Sequence, residues 1–301
     1  MNGFSPSVEA VGRPARSWSP LHLAALLGAN LALALGPLLV RLADTGPVAA
    51  GFWRLTLALP VILVLSLREP AERRRVAGGT LLLVAGAGAF FALDLASWHV
   101  GIAATKLGNA SLFGNAGSVI LMGWGLIAAR RAPRPLEIGA ILASLAGAAL
   151  LMGGSLEISH ASFVGDLFCL LAGLFYAVYI LMLAPTRERL GQFSLLLWST
   201  LTGAPILLAV AALMGESIVP HDWTPLLILA MSSQVIGQGL LIYSQKNFTP
   251  LVIGLALLTQ PAVSALTGWL AFDEVLSAGD LLGMLLLAGA LAMAKAGDRP
   301  A

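Results

Sequence analysis

The feature that most limits this chain is a succession of long apolar runs nearly free of charge. Residues 47–67, PVAAGFWRLTLALPVILVLSL, hold a single charged side chain, and residues 191–214 hold none. Apolar runs of about 18 residues or more with few charges read as membrane-spanning helices. Inside a bilayer every backbone polar group must be satisfied within a helix or a closed barrel. These runs are filled with Ala, Leu and Gly without the alternation of a barrel strand, so they are helices. Ten spans fit: about 20–42, 47–67, 77–101, 107–129, 135–153, 163–184, 191–214, 223–245, 250–272 and 277–296. The chain is 58% hydrophobic and 11% charged, against roughly 25% charged in soluble domains. It reads as an all-α polytopic membrane protein with almost no soluble domain.

Residues 1–19 form a polar tail carrying Arg13 and Arg16 ahead of an apolar run that starts at Leu21. That layout resembles a signal peptide. The run to Val40 is longer than the roughly 7–15 residues of a signal core, and more spans follow, so it reads as an uncleaved first span. The lone cysteine, Cys169, lies inside an apolar run. It offers no intramolecular disulfide and no cysteine metal site, and reads as a packing residue.

Lys and Arg in the connections set orientation. With the N-terminus in the cytoplasm, Arg13, Arg16, Arg68, Arg73, Arg74, Arg75, Arg130, Arg131, Arg134, Arg187, Arg189, Lys246, Lys295 and Arg299 are all cytoplasmic, 14 of the 17 basic residues. Arg41, Lys106 and the buried Arg54 lie toward the other side. The outer connections are acidic, with Glu157, Asp166, Glu216, Asp222, Asp273, Glu274 and Asp280. Ten spans then place both termini in the cytoplasm of a bacterial inner membrane.

A repeat organises the spans. Residues 257–275, LLTQPAVSALTGWLAFDEV, contain Gln260–Pro261 and Gly268–Trp269. Residues 112–130, LFGNAGSVILMGWGLIAAR, contain Asn115–Ala116 and Gly123–Trp124 at the same places, 145 residues earlier. The same offset relates Gly28 to Gly173, Trp53 to Trp198, Pro60 to Pro205 and Trp98 to Tyr243. Each copy holds five spans (about 20–153 and 163–297), and an odd number makes the second copy enter the membrane from the opposite face. Inverted repeats of this kind are characteristic of secondary transporters, with a site near the midplane at the repeat interface.

Two five-helix halves, Pro261 in the ninth span and Glu274 at its end resemble the EamA-type transporters of the drug/metabolite superfamily, over about residues 20–296. The chain is most similar to the YddG-type exporters of aromatic and other amino acids. The first half departs from the family pattern, with Ala116 in place of the proline and Ala129 in place of the acid. Roles at those family positions therefore carry over to Pro261 and Glu274 alone.

Several polar residues lie at depths where side chains rarely face lipid. Gln260 is about 15 Å into its helix at 1.5 Å per residue, and Asn115 is its counterpart. Two readings stand: amides lining a substrate cavity, or amides bonding between helices. Pro261 frees a carbonyl and kinks its helix, and Gly114 and Gly117 could loosen the other copy, which makes all three hinge candidates. Arg54 and Asp94 each lie about 10 Å deep in the outer leaflet. They form a structural ion pair, or Arg54 snorkels outward, or Asp94 takes a substrate ammonium or a proton, and these readings can coexist. Trp98, four residues from Asp94, shares its helix face and could stack on a ring or an ammonium, or anchor at the interface. Gln234 and Gln238, four apart in mid-span, are read as lining the cavity, against the alternative of bonding between helices. Tyr176 and Tyr179 line the cavity or pack in the core, and Asn30 is open in the same way. His99 reads as exposed near the interface. Gly139, Ala143 and Gly147, with Gly279 and Gly283, form small-residue ridges for close helix packing.

The sequence holds no His/Cys metal cluster, no phosphate-binding glycine loop and no nucleotide-binding domain, and no cofactor or catalytic residue is assigned. Asp94 with His99 would diverge by about 140° around a helix, which disfavours an embedded enzyme. The expectation is a secondary exporter of amino acids, or of similar small metabolites, by alternating access. Drugs, nucleobases or other metabolites are the alternative cargo. Its partners would be the small-molecule substrate and the lipid bilayer, with no nucleic acid, in a monomer or weak homodimer.

Overall fold

The computed structural model describes residues 19–297, apart from 77, 105–112, 115, 131, 153–159, 188, 246, 249, 258 and 261–277. Among the described residues every regular element is helical. In order they are α1 (Pro20–Ala34), α2 (Gly36–Leu42), α3 (Pro47–Leu67), α4 (Gly79–Ala104), α5 (Ala116–Ala129), α6 (Pro135–Met152), α7 (His160–Leu183) and α8 (Gln192–Leu213). Next comes α9 (Thr224–Leu229), which runs through a π-helical segment (Ala230–Gly237) into α10 (Gln238–Gln245). Then follow α11 (Pro250–Leu257) and α12 (Ala278–Gly297).

Six helical stretches among the described residues are long and apolar enough to cross a membrane: Pro20–Val40, Pro47–Leu67, Gly79–Ala104, Phe163–Leu183, Gln192–Leu213 and Thr224–Ser244. Their outer faces carry bare apolar side chains. Leu82 is 77% exposed, Phe163 53% and Leu31 50%, a surface that needs lipid rather than water. The protein is a multi-pass membrane protein.

Two spans depart from plain α-geometry. The first breaks at Leu35, where Pro37 lacks the amide that would reach back to Leu33. The other is the π-helical segment. Ser232 Oγ donates to the Ile228 carbonyl at 2.7 Å, the carbonyl that an α-helix would give to the Ser232 amide. Ser233 Oγ donates to Ala32 O at 3.3 Å, on the neighbouring broken helix. Serine hydroxyls that compete for backbone carbonyls loosen a helix at this point, and π-turns gather at functional places.

α3 begins at Pro47 and α8 at Gln192; α4 begins at Gly79 and α9 at Thr224. Both pairs are 145 residues apart. α3 and α8 pack side by side and each has a proline inside it, Pro60 and Pro205. Their ends are tied reciprocally. Glu69, just past the end of α3, accepts from the amides of Phe193 and Ser194 at 2.9 and 3.0 Å. Glu216, just past the end of α8, accepts from the amides of Val48 and Ala49 at 3.2 and 2.7 Å. Each carboxylate satisfies the free amides and the positive end of the partner helix. The two helices therefore run antiparallel. Gly46 and Gly191 sit at the two N-caps, and a Cβ on either would collide with the capping glutamate.

Close backbone approach brings α7 against α5. A Cβ on Gly173 would stand 2.8 Å from Gly117 N and 2.9 Å from Gly114 O. Gly117 is thus a packing residue at a tight crossing. α6 packs on α12, with Met293 Sδ over Gly139, so that small-residue ridge serves internal packing. Cys169 is fully buried, beside Ile102, Trp98 and Phe113.

Candidate functional site

A cavity of about 90 Å³ opens where the broken first span, α3, α4, α7, α10 and α11 converge. That is space for a handful of waters at roughly 10–15 Å³ each. Its apolar wall is Leu33, Ala34 and Pro37 from the broken span, Phe91 and Leu95 from α4, and Leu257 from α11. Its polar wall is Arg54, Asp94, Trp98, Tyr176, Gln238 and Gln260, with Gly114 beside them.

Arg54 projects from α3, seven residues past Pro47, and is 3% exposed. Its guanidinium carbon lies 6.0 Å from the centre of the Phe91 ring, within cation–π range. Its Nε has no hydrogen-bond partner. Asp94 faces it from α4. Among the described residues the two side chains do not approach to ion-pair distance, and neither finds another ionic partner. Of the arrangements open for this pair, the structural ion pair is not observed among the described residues. Ionisable groups left without a partner on a cavity wall are costly inside a membrane, and the cost is lowered by water or a ligand in the cavity.

The amides are held differently. Gln260 Nε2 donates to Asn30 Oδ1 at 3.2 Å, and Asn30 Nδ2 donates to Leu26 O at 2.9 Å. Asn30 is fully buried and positions Gln260 from behind the wall. Just before Gln260, the Thr259 amide donates to Ala256 O, three residues back, so the chain tightens there. Gln238 approaches the Tyr176 hydroxyl, but the Gln238 Oε1 and Tyr176 Oη atoms are left without hydrogen bonds. Buried polar atoms left open are costly, and here they border the cavity.

Of the sequence-derived candidates, Arg54, Asp94, Trp98, Gly114, Tyr176, Gln238 and Gln260 come together around one cavity. Tyr179 and Gln234 stand behind it. Tyr179 is fully buried and stacks on Phe91 at 4.7 Å. Gln234 lies in the π-helical segment and its Nε2 donates to Thr200 Oγ1 at 3.0 Å. Asn115 and Pro261 fall outside the described residues. His99 is fully buried rather than exposed. Gly51 leaves room for its ring, with Cε1 3.2 Å from where a Cβ would be, and the Pro47 carbonyl accepts from Nδ1 at 2.6 Å. That bond places the ring proton on Nδ1. The sequence reading missed Leu33, Ala34 and Pro37. Their signal was Gly36–Pro37 inside the first apolar run.

Residues 163–295 match the model of the EamA-like transporter family, a match that covers the second half of the chain. No curated protein matches the sequence. Among solved structures 29 chains match. One, titled only as the crystal structure of a protein, superposes on 92% of this chain and 97% of its own with a TM-score of 0.77 and 16% identity. At that identity the likeness is one of fold. The second half of the chain is thus similar to EamA-like transporters, and the chain as a whole shares the fold of that solved structure.

Proposed function

We propose that the protein is a secondary transporter that exports amino acids, or similar small neutral metabolites, by alternating access. One observation carries this reading. A single cavity, lined from both halves of the chain, gathers Arg54, Asp94, Gln238 and Gln260 with the aromatic faces of Trp98 and Tyr176. Convergent polar groups in an otherwise apolar pocket are the mark of a small-molecule site. The EamA-like segment supports transport rather than catalysis.

The reading includes ten spans built as two inverted five-helix repeats, both termini cytoplasmic, in a bacterial inner membrane. The antiparallel run of α3 and α8, and their reciprocal glutamate caps, support the inversion. The protein acts as a monomer or weak homodimer. Asp94 receives the substrate ammonium or a coupling proton, Trp98 and Tyr176 contact the substrate's side chain, and Gln238 and Gln260 orient it. Asn115 would complete the amide set. Movement of one half against the other would use Pro261 as a hinge, with Gly114 and Gly117 as the counterparts in the other copy.

The test is counterflow of labelled amino acids in proteoliposomes of the purified protein. Accumulation above empty liposomes for neutral or aromatic amino acids is expected. Flux of drugs or nucleobases, with none for any amino acid, would replace the cargo. No flux of any small metabolite would remove the transporter reading.

A further inference from the structure

We infer that the cavity receives a zwitterion across the gap between Arg54 and Asp94, the carboxylate on Arg54 and the ammonium on Asp94. This rests on the transporter reading and assigns Arg54, until now a charge without a task, as the carboxylate receptor. Both side chains line the same cavity. One is a carboxyl and the other a guanidinium, yet among the described residues they form no ion pair. Arg54 is almost completely buried and keeps an open Nε–H.

A buried arginine stays protonated and presents planar donors that suit a carboxylate. Its Nε is open and its guanidinium carbon stands 6.0 Å from the centre of the Phe91 ring on the cavity wall. An ionised carboxylate offers acceptors alone, so Asp94 is suited to an ammonium. Its neighbour four residues on is Trp98, which also lines the cavity and whose ring face attracts the same charge. The gap between the two charges is therefore polarised from one end to the other. A molecule with both charges a carbon apart neutralises the two walls together. An anion or a cation alone leaves one buried charge uncovered, which is costly. The α-amino acids are the common metabolites of this kind.

The test compares binding of L-phenylalanine with L-phenylalaninamide, which lacks the carboxylate, and with N-acetyl-L-phenylalanine, which lacks the ammonium. L-alanine and its two derivatives form a parallel set. Wild-type protein in detergent is titrated and Trp fluorescence or heat is read. The amino acid should bind about tenfold or more tightly than either blocked form. Arg54→Met should bring the acid and the amide to equal affinity, and Asp94→Asn should do the same for the acid and the N-acetyl form. The wild-type comparison decides the matter even where a charge-removing variant fails to fold. Equal affinity for all three forms by the wild-type protein would overturn the zwitterion assignment and leave transport intact. Absence of binding by every amino acid would overturn it as well. If counterflow of other metabolites were then also absent, the transporter reading would fail separately.

Discussion

α4 and the stretch from Thr224 to Gln245 begin 145 residues apart, and they differ in a way that bears on function. α4 is an unbroken helix of 26 residues. Its counterpart is divided by the π-helical segment. α4 gives the cavity a charge, Asp94, whereas the other stretch gives it an amide, Gln238. The same holds one helix earlier. Arg54 in α3 corresponds to Ser199 in α8, whose hydroxyl is satisfied within its own helix by the carbonyls of Leu195 and Leu196 at 2.9 and 3.1 Å. The matched features are structural: helix starts, internal prolines and glutamate caps. The unmatched ones carry the charge. A shared frame and one-sided chemistry give the cavity a polarity that a symmetric pair of walls could not have.

The largest effects should follow from breaking the charged wall. Asp94→Asn should lower counterflow of amino acids at least about tenfold, the scale of one charge-assisted contact. Gln260→Ala should lower it less, since Asn30 remains nearby. Normal transport by both would remove this cavity as the site. The two glutamines of the interrupted stretch sharpen the contrast. Gln238→Ala should raise the half-saturation concentration for substrate. Gln234→Ala should cost about 0.6–2 kcal/mol of stability through the lost bond to Thr200, seen as a lower melting temperature, with transport retained.

The frame should respond evenly. Glu69→Ala and Glu216→Ala remove equivalent caps and should each cost about 1–2 kcal/mol, a few degrees in melting temperature. Their effects should add, because the caps lie at opposite ends of a pair roughly 30 Å long. Gly46→Ala and Gly191→Ala should match them, because each methyl would displace a capping carboxylate. Strongly unequal losses would mean that the two ends are not equivalent.

The smallest effect concerns pH, in the loop between α2 and α3. The backbone amide of His221 donates to Asp44 at 2.8 Å, and the amide of Asp222 at 3.3 Å. The first of these is the main reason why the Asp44 carboxyl is held below its usual 3.8. A lowered carboxyl stabilises above its unfolded value and loses that contribution as pH falls through the native one. Relative to its intrinsic rate, exchange of the His221 amide should therefore be protected near neutral pH and lose that protection as pH falls below about 3.8. Asp44→Asn should leave that exchange independent of pH over the acid range, after correction for its intrinsic rate.

Much of the frame was legible in the sequence. Long uncharged runs require spanning helices, and the 145-residue offset marked matching positions such as Pro60 and Pro205. The depth of Asp94, Gln260 and Gln238 followed from helix rise alone. Helix rotation did not, since one sequence cannot say which side of a helix faces a neighbour. Tyr176 and Tyr179 are three apart, and one reaches the cavity while the other stacks on Phe91. His99 read as exposed because its depth is near a helix end, whereas Gly51 on α3 leaves it a buried slot. Glu216 read only as one acid of an outer connection, and nothing in the sequence singled out Glu69. Their role depends on α3 and α8 lying side by side, which no local pattern reveals.

The most direct test sets the two members of one matched pair against each other. Counterflow of labelled L-phenylalanine is measured in proteoliposomes of wild type, Arg54→Met and Ser199→Ala, at equal protein and with folding checked by elution profile. Wild type and Ser199→Ala should accumulate label alike, and Arg54→Met should fall at least about tenfold. Equal flux from all three, or equal losses in both variants, would contradict a charged wall confined to one half.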